Sequence, residues 1–269
     1  MLKFVFRFLL TVFFVWALAS PFFDSLTADF SADDPASDKQ AAVKQEKPLH
    51  DVVLPDFAQF VDVKEKKRAF FNFIRPHIEA ENKVILQQRA KLEIARMMLE
   101  FDEPLSNKQR IELEKILQSY KLPNTVSALS LTQALQRVDI IPKELALMQA
   151  ANESAWGTSR FARIGLNFFG QWCYSKGCGM VPKRRDAEAA HEVAAFKSVR
   201  AAVQSYFRNI NTHAAYAELR TIRAELRRQQ QPIAAIKLSA GLMSYSERGA
   251  AYIEELNKMI EQNKEYFNE

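Results

Sequence analysis

The sequence predicts a mainly α globular fold with one small β element. Three observations carry that expectation. Apolar residues recur three and four positions apart through most of the chain from Phe57 onward. Glycine is scarce, at seven residues in 269, so helices have few intrinsic breaks. Only residues 172–196 depart from helical spacing. Gly177, Gly179 and Pro182 punctuate them, and Cys173 and Cys178 lie close together. This stretch reads as a loop or small β-hairpin. With 48% hydrophobic residues, the chain can bury a sizeable core in one or two domains.

Taken in order, residues 1–26 have the form of an export signal. Lys3 and Arg7 precede an uncharged run from Phe8 to Ala19 that ends in Ala17-Leu18-Ala19. Pro21-Phe22-Phe23 extends the apolar character, so the alternative is an uncleaved inner-membrane anchor. Residues 27–54, rich in Asp, Ala, Ser and Lys, read as a flexible linker. Residues 55–125 form a helical extension in which Pro76 is expected to break or restart the pattern.

The remaining body is 126–269. Ser106 with Gln109 has the capping-box pattern and opens a helix to about Tyr120. Ser130 with Gln133 is expected to cap a second helix, from Leu131 to Val138. Pro142 starts a third through Leu145-Ala146-Leu147-Met148, which Gly157 closes. Helical spacing resumes from Ser198, again from Tyr216 to Gln229, and finally from Tyr252 to Phe267. Gly241 precedes a turn.

The third helix delivers Glu153 to its C-terminal end, beside Trp156. The helix dipole is negative there and an indole is apolar, so both favour a protonated carboxyl. That is the state a general acid needs. Position alone leaves a surface Glu at a helix end equally open.

The net charge of +5 suits an anionic partner such as a cell-wall polymer or a membrane surface. No Lys/Arg stripe interleaved with aromatics is present, so nucleic acid is not an expected partner. In an exported chain Cys173 and Cys178 are expected to form a disulfide. A metal site is not expected, because His50, His77, His191 and His213 do not cluster in sequence. No cofactor is implied.

The stretch Gln149-Ala150-Ala151-Asn152-Glu153-Ser154-Ala155-Trp156-Gly157 resembles the Q-A-A-x-E-S-x-W-G of the glucosaminidase domain of bacterial peptidoglycan hydrolases, glycoside hydrolase family 73. Asn167-Phe168-Phe169-Gly170 is similar to that family's N-L-F-G. Ser198, Tyr206 and Tyr216 match a later S…Y…Y pattern, and Ala240-Gly241 with Tyr252 resembles the closing segment. The resemblance covers about 140–260. It implies a lysozyme-like, mostly helical α+β fold with a small β lobe, preceded here by the helical extension. It implies cleavage of the β-1,4 bond between N-acetylglucosamine and N-acetylmuramic acid in peptidoglycan glycan strands; with the export segment, the expectation is an endo-acting N-acetylglucosaminidase that is periplasmic or tethered to the inner membrane by residues 1–26. It also assigns the general acid to Glu153.

Such cleavage needs a proton for the leaving oxygen and stabilisation of an oxocarbenium-like state. The second role is open between a carboxylate at Asp186, Glu188 or Glu192 and the substrate's own acetamido group, oriented by Tyr216 or Tyr206. Asn167 suits either a sugar hydroxyl or a backbone turn. Trp156, Phe169 and Trp172 suit a sugar face or the core. A non-catalytic peptidoglycan-binding protein with a retained groove is the alternative reading.

Overall fold

The computed structural model describes residues 47–182 and 191–269. The expected export segment 1–26 and most of the linker lie outside the described residues, as does Lys183–Ala190. Residues 47–54 have no regular structure but are held down. The Leu49 N–H donates to the Ile164 carbonyl at 2.9 Å, and His50 Nε2 lies 3.0 Å from the Arg163 carbonyl.

Helix α1 (Val63–Glu100) is the longest element, with 38 residues and a length of about 57 Å. Asp62 caps it by accepting from the Glu65 N–H at 2.8 Å. Phe71, Ile74, Ile78, Ile85 and Leu92 form one stripe, spaced three, four and seven apart, and all are buried. The stripe packs against α3 (Ala128–Arg137), α4 (Lys143–Glu153) and α6 (Val199–Thr212). Helix α1 therefore shares a single core with residues 126–269.

The expected break at Pro76 does not occur, and the helix runs through it. Proline removes the bond to the carbonyl four residues back, which belongs to Asn72. Asn72 and Pro76 both lie on the exposed face, so water can serve the released carbonyl. Phe70, Phe71, Ile74 and Ile78 are buried on either side, each contributing about 1.5–3 kcal/mol. That outweighs one lost hydrogen bond of about 1 kcal/mol.

Helix α2 (Asn107–Ser119) carries the expected capping box between Ser106 and Gln109. The cap of α3 differs from expectation. Ser127, not Ser130, is the capping residue, and Ser130 reciprocates from inside the helix. A serine at that third helical position does the work expected of glutamine one turn later.

Helix α4 is buried on every side from Leu145 to Ala151. At its C-terminal end Asn152 and Glu153 emerge to half-buried positions, as Lys143 and Glu144 do at its start. Immediately after, Ala155, Trp156 and Gly157 all take left-handed backbone, with φ of 50°, 57° and 78°. The Ser154 hydroxyl locks this turn, donating to the Ala150 carbonyl at 2.6 Å and accepting from the Gly157 N–H at 2.8 Å. A Cβ on Gly157 would stand 2.4 Å from Phe57 Cδ2, so only glycine fits.

Helix α5 (Arg160–Gly165) leads to the small β lobe: β1 (Trp172–Cys173), β2 (Gly179–Met180) and β3 (Glu192–Ala194). They form an antiparallel sheet in the order β1-β3-β2, pairing Trp172 with Val193 and Gly179 with Ala194. The expected disulfide joins Cys173 and Cys178. Helix α6 is capped by Ser198. Then follow a 3-10 turn (Ala214–Tyr216), α7 (Ala217–Arg228), α8 (Ala235–Ser239) and α9 (Ala250–Gln262), which packs on α4. The described part is thus mostly helical with a small three-stranded sheet.

A buried arginine ties α7 to the connection between α3 and α4. Arg223 donates to the carbonyls of Gln136, Arg137, Asp139 and Ile140 at 2.9–3.4 Å and to Asn211 Oδ1 at 2.8 Å. Burial pulls its pKa down to about 10, which the neighbouring Asp139 carboxylate opposes. Replacing Arg223 with Met would strand these acceptors away from water. We expect Arg223→Met to cost about 3–5 kcal/mol in urea unfolding. The exposed Arg228, ion-paired with Glu225, should leave the midpoint almost unmoved when changed the same way. Equal shifts in the two midpoints would contradict this.

Candidate active site

Glu153 leaves the end of α4 and lines a cleft of about 900 Å³. The loop 169–172 and Tyr174 border the cleft on the β-lobe side. Helix α6 supplies Ser205, Tyr206, Arg208, Asn209 and Thr212, and Tyr216 follows from the 3-10 turn. Ser244 to Arg248, between α8 and α9, completes the wall.

Four tyrosines surround the carboxyl. Tyr206, Tyr216, Tyr245 and Tyr252 each feel the charge of Glu153. Gln149, one helical turn earlier on α4 and fully buried, joins two of them. The Tyr206 hydroxyl donates to Gln149 Oε1 at 2.5 Å, and Gln149 Nε2 donates to the Tyr252 oxygen at 3.1 Å. Tyr252 is thereby left to turn its own proton toward Glu153. The hydroxyl of Tyr245 donates to the Phe169 carbonyl at 3.0 Å.

Burial holds the Glu153 carboxyl above the ordinary carboxylate range. The Tyr252 hydroxyl and the Arg248 guanidinium oppose this by favouring the charged form, and Glu255 adds to it. The net direction is upward. The expected contribution of an indole differs from what is found. The Trp156 ring packs edge-on against Phe70 and Phe71, at 5.6 and 5.4 Å between centroids, and does not line the cleft. The left-handed turn at 155–157 swings it to the α1 side, where it packs against the core.

The loop after α5 carries Gly170 close to the acid. A Cβ there would stand 3.2 Å from Glu153 Oε2, and φ is +63°. Asn167 shapes this loop and is itself spent. It is 1% exposed, donates to the carbonyls of Gln171 and Ala194 at 2.8 Å, and accepts from the N–H groups of Phe169 and Gln171. Of its two expected uses, the backbone turn is the one found, and no amide capacity remains for a sugar hydroxyl. Gln171 is held in turn by Ser205, whose hydroxyl donates to Gln171 Oε1 at 2.7 Å.

Phe169 lines the cleft but is 2% exposed, because it stacks on Tyr206 at 4.1 Å. Two aromatics are open at the lip, Trp172 at 55% and Tyr174 at 76% exposure, and Trp172 has one face stacked on His191 at 4.0 Å. The carboxylate expectations fare unevenly. Glu192 lies in β3, buried, and its two oxygens accept from the N–H groups of Gly177 at 3.0 Å and Gly179 at 2.9 Å. It braces the cysteine loop and is not among the cleft residues. Glu188 and Asp186 lie outside the described residues. Cys173, Cys178 and Glu192 present ligand atoms within 4.8 Å of one another, but the disulfide uses both sulfurs.

Sequence reasoning missed Tyr245, Gln149 as a junction, and Arg248. Gln149 and Tyr252 stood within recognisable motifs, which was a usable signal. Tyr245 sits in a turn without periodicity and gave none.

Residues 128–265 match the glucosaminidase family model, described as mannosyl-glycoprotein endo-beta-N-acetylglucosaminidase. The chain is also 32% identical over 213 residues to protein bax of Escherichia coli (strain K12), an alignment covering 78% of this chain and 74% of that protein. No solved structure gives a significant match.

The raised pKa of Glu153 makes its ionisation a cost to folding. Below about pH 4 the carboxyl is protonated folded and unfolded, and the cost is absent. As pH rises through the raised folded value, the unfolded chain ionises first and the cost appears in full. We therefore expect Glu153→Gln to melt above the parent at about pH 7 and to lose that advantage as pH falls toward about 4. Calorimetry at several pH values checks this. A melting difference that ignores pH would show that the carboxyl is not strained by burial.

Proposed function

The chain belongs to the glucosaminidase family, and on that premise we propose that it is an endo-acting N-acetylglucosaminidase of bacterial peptidoglycan. Glu153 is its general acid, donating a proton to the oxygen that bridges N-acetylglucosamine and N-acetylmuramic acid. The observation that carries this is the half-buried, protonation-prone Glu153 carboxyl in the wall of the cleft. Glu247 is the other carboxyl among the described cleft residues, and it is exposed. Function outside the cytoplasm is part of the same proposal, because peptidoglycan lies there. No helix among the described residues is long and apolar enough to cross a membrane.

The Glu192 carboxylate is engaged by the Gly177 and Gly179 N–H groups, and Asp186 and Glu188 lie outside the described residues; our reading takes the substrate's acetamido group as the internal nucleophile. In this proposal Tyr216 orients that group, and Tyr206 braces the site through Gln149 rather than touching the sugar. Tyr216 has the position for it: its ring lines the cleft near Asn209 and Tyr245. As the glycosidic bond breaks, Glu153 gives its proton to the leaving oxygen and the acetamido carbonyl oxygen bonds to the anomeric carbon, forming an oxazolinium ion; water then attacks that carbon, gives a proton to the Glu153 carboxylate and restores the acetamide.

A second reading rests on that same engagement of Glu192: a peptidoglycan-binding protein that keeps the groove without turnover. The purified chain separates the two. Loss of a general acid costs about 10²–10⁴ in rate, so Glu153→Gln should release new reducing ends from peptidoglycan at least about a hundredfold more slowly than the parent. Mass spectrometry should find N-acetylglucosamine at the new reducing termini. Equal rates in parent and variant would remove Glu153 from the chemistry. Retention on insoluble peptidoglycan with no released products would establish the binding protein instead.

A further inference from the structure

Proton donation by Glu153 leaves the charge along the cleft unexplained. Lys121 and Arg208 both line it, and both are exposed. Among the described residues neither forms an ion pair. Arg248 on the same wall is different, since it pairs with Glu255 at 2.7 Å. Two cations outside any ion pair among the described residues therefore share one concave surface with a single exposed carboxylate, Glu247, among its described lining, and low-dielectric walls concentrate the field there.

Both are positioned by the fold. Arg208 follows Ser205 on α6 by about one helical turn, roughly 5 Å along the axis. Ser205 holds Gln171, next to the Gly170 that abuts Glu153. Lys121 takes left-handed backbone, φ 57°, just past the end of α2. The Arg137 guanidinium fixes it there, donating to the carbonyls of Tyr120 at 2.8 Å and Lys121 at 3.0 Å. A non-glycine residue keeps such a conformation only where its surroundings impose it. His213 lies on the same wall. Its Nδ1 accepts from the Ala215 N–H at 3.2 Å, which leaves Nε2–H as a donor.

We propose that Lys121 and Arg208, with His213 beside them, form an anion subsite that takes a carboxylate carried by the glycan strand. The proposal rests on the glycan reading of the cleft and adds a selectivity to it: acidic strands over neutral ones. Two carboxylates share this chemistry, the lactyl acid of peptide-free muramic acid and the acids of a peptide stem.

Full-length protein carrying Glu153→Gln, which binds without turnover, is titrated calorimetrically with peptide-free glycan strands and with the same strands after their carboxylates are converted to methylamides. The acidic strand should bind about three- to tenfold tighter, as two solvent-exposed ion pairs supply, and the difference should shrink with added salt. Adding Lys121→Gln and Arg208→Gln should abolish the difference. Strands bearing peptide stems, in which the lactyl acid is already an amide, read the other source. A preference over their methylamidated form that also vanishes in the triple variant assigns the stem acids. The proposal is overturned if acidic and amidated strands bind alike in the Glu153→Gln protein, or if the preference survives both cation substitutions. Failure of the glycan reading looks different: no strand of either kind binds, and the subsite falls with it.

Discussion

The hydrogen bonds made by Gln149 hold the site together. One buried side-chain amide accepts from Tyr206 on α6 and donates to Tyr252 on α9, while standing on α4 itself. Three helices are thereby referenced to one group, and the direction of each bond is set. Removing either partner would leave a polar atom in a place without water, at about 1–3 kcal/mol each. The acid strength of Glu153 depends on this arrangement, because Tyr252 is the hydroxyl that favours its ionised form. Burial pulls the other way and wins. The carboxyl is thus the result of two opposed terms, one from packing and one from hydrogen-bond direction.

The rest of the fold serves to bury the middle of α4 and bring its C-terminal end to the cleft. Helix α1 covers it on one side and α9 on another. The aromatic cluster of Phe57, Phe70, Phe71 and Trp156 fills the space beneath the left-handed turn. A chain that reverses hand for three consecutive residues accepts local strain of about 1–3 kcal/mol at each non-glycine position. The contacts of the indole offset it. In return the chain leaves α4 at an angle that brings the loop 167–171 back across Glu153.

Much of this was legible in the sequence, and the failures are instructive. The helical period gave α1, α2, α6, α7 and α9, because burying one face is a local property of spacing. The position of Glu153 at a helix end followed from Pro142 and Gly157. The uninterrupted passage through Pro76 could not be foreseen, since it depends on Asn72 facing water, a tertiary fact. Trp156 was expected beside the acid because adjacency in sequence suggests adjacency in space. Two residues of positive φ are enough to send it elsewhere, and non-glycine residues give no warning of them. Asn167 and Glu192 illustrate a general ambiguity. A polar side chain that binds a ligand and one that binds the backbone have the same composition, and only the count of satisfied atoms separates them. Tyr245 was hidden for a simpler reason: it sits in a turn, where no period marks which side chains point inward.

The cysteine loop is closed twice over, by a covalent bridge between Cys173 and Cys178 and by the Glu192 carboxylate gripping the amides of Gly177 and Gly179. The two fastenings differ in kind, one a covalent bond and the other a pair of hydrogen bonds. Either alone constrains the same few residues, so the strand that carries Trp172 is insulated from a change in one of them. Were either fastening lost, the other would still hold this edge of the groove in shape.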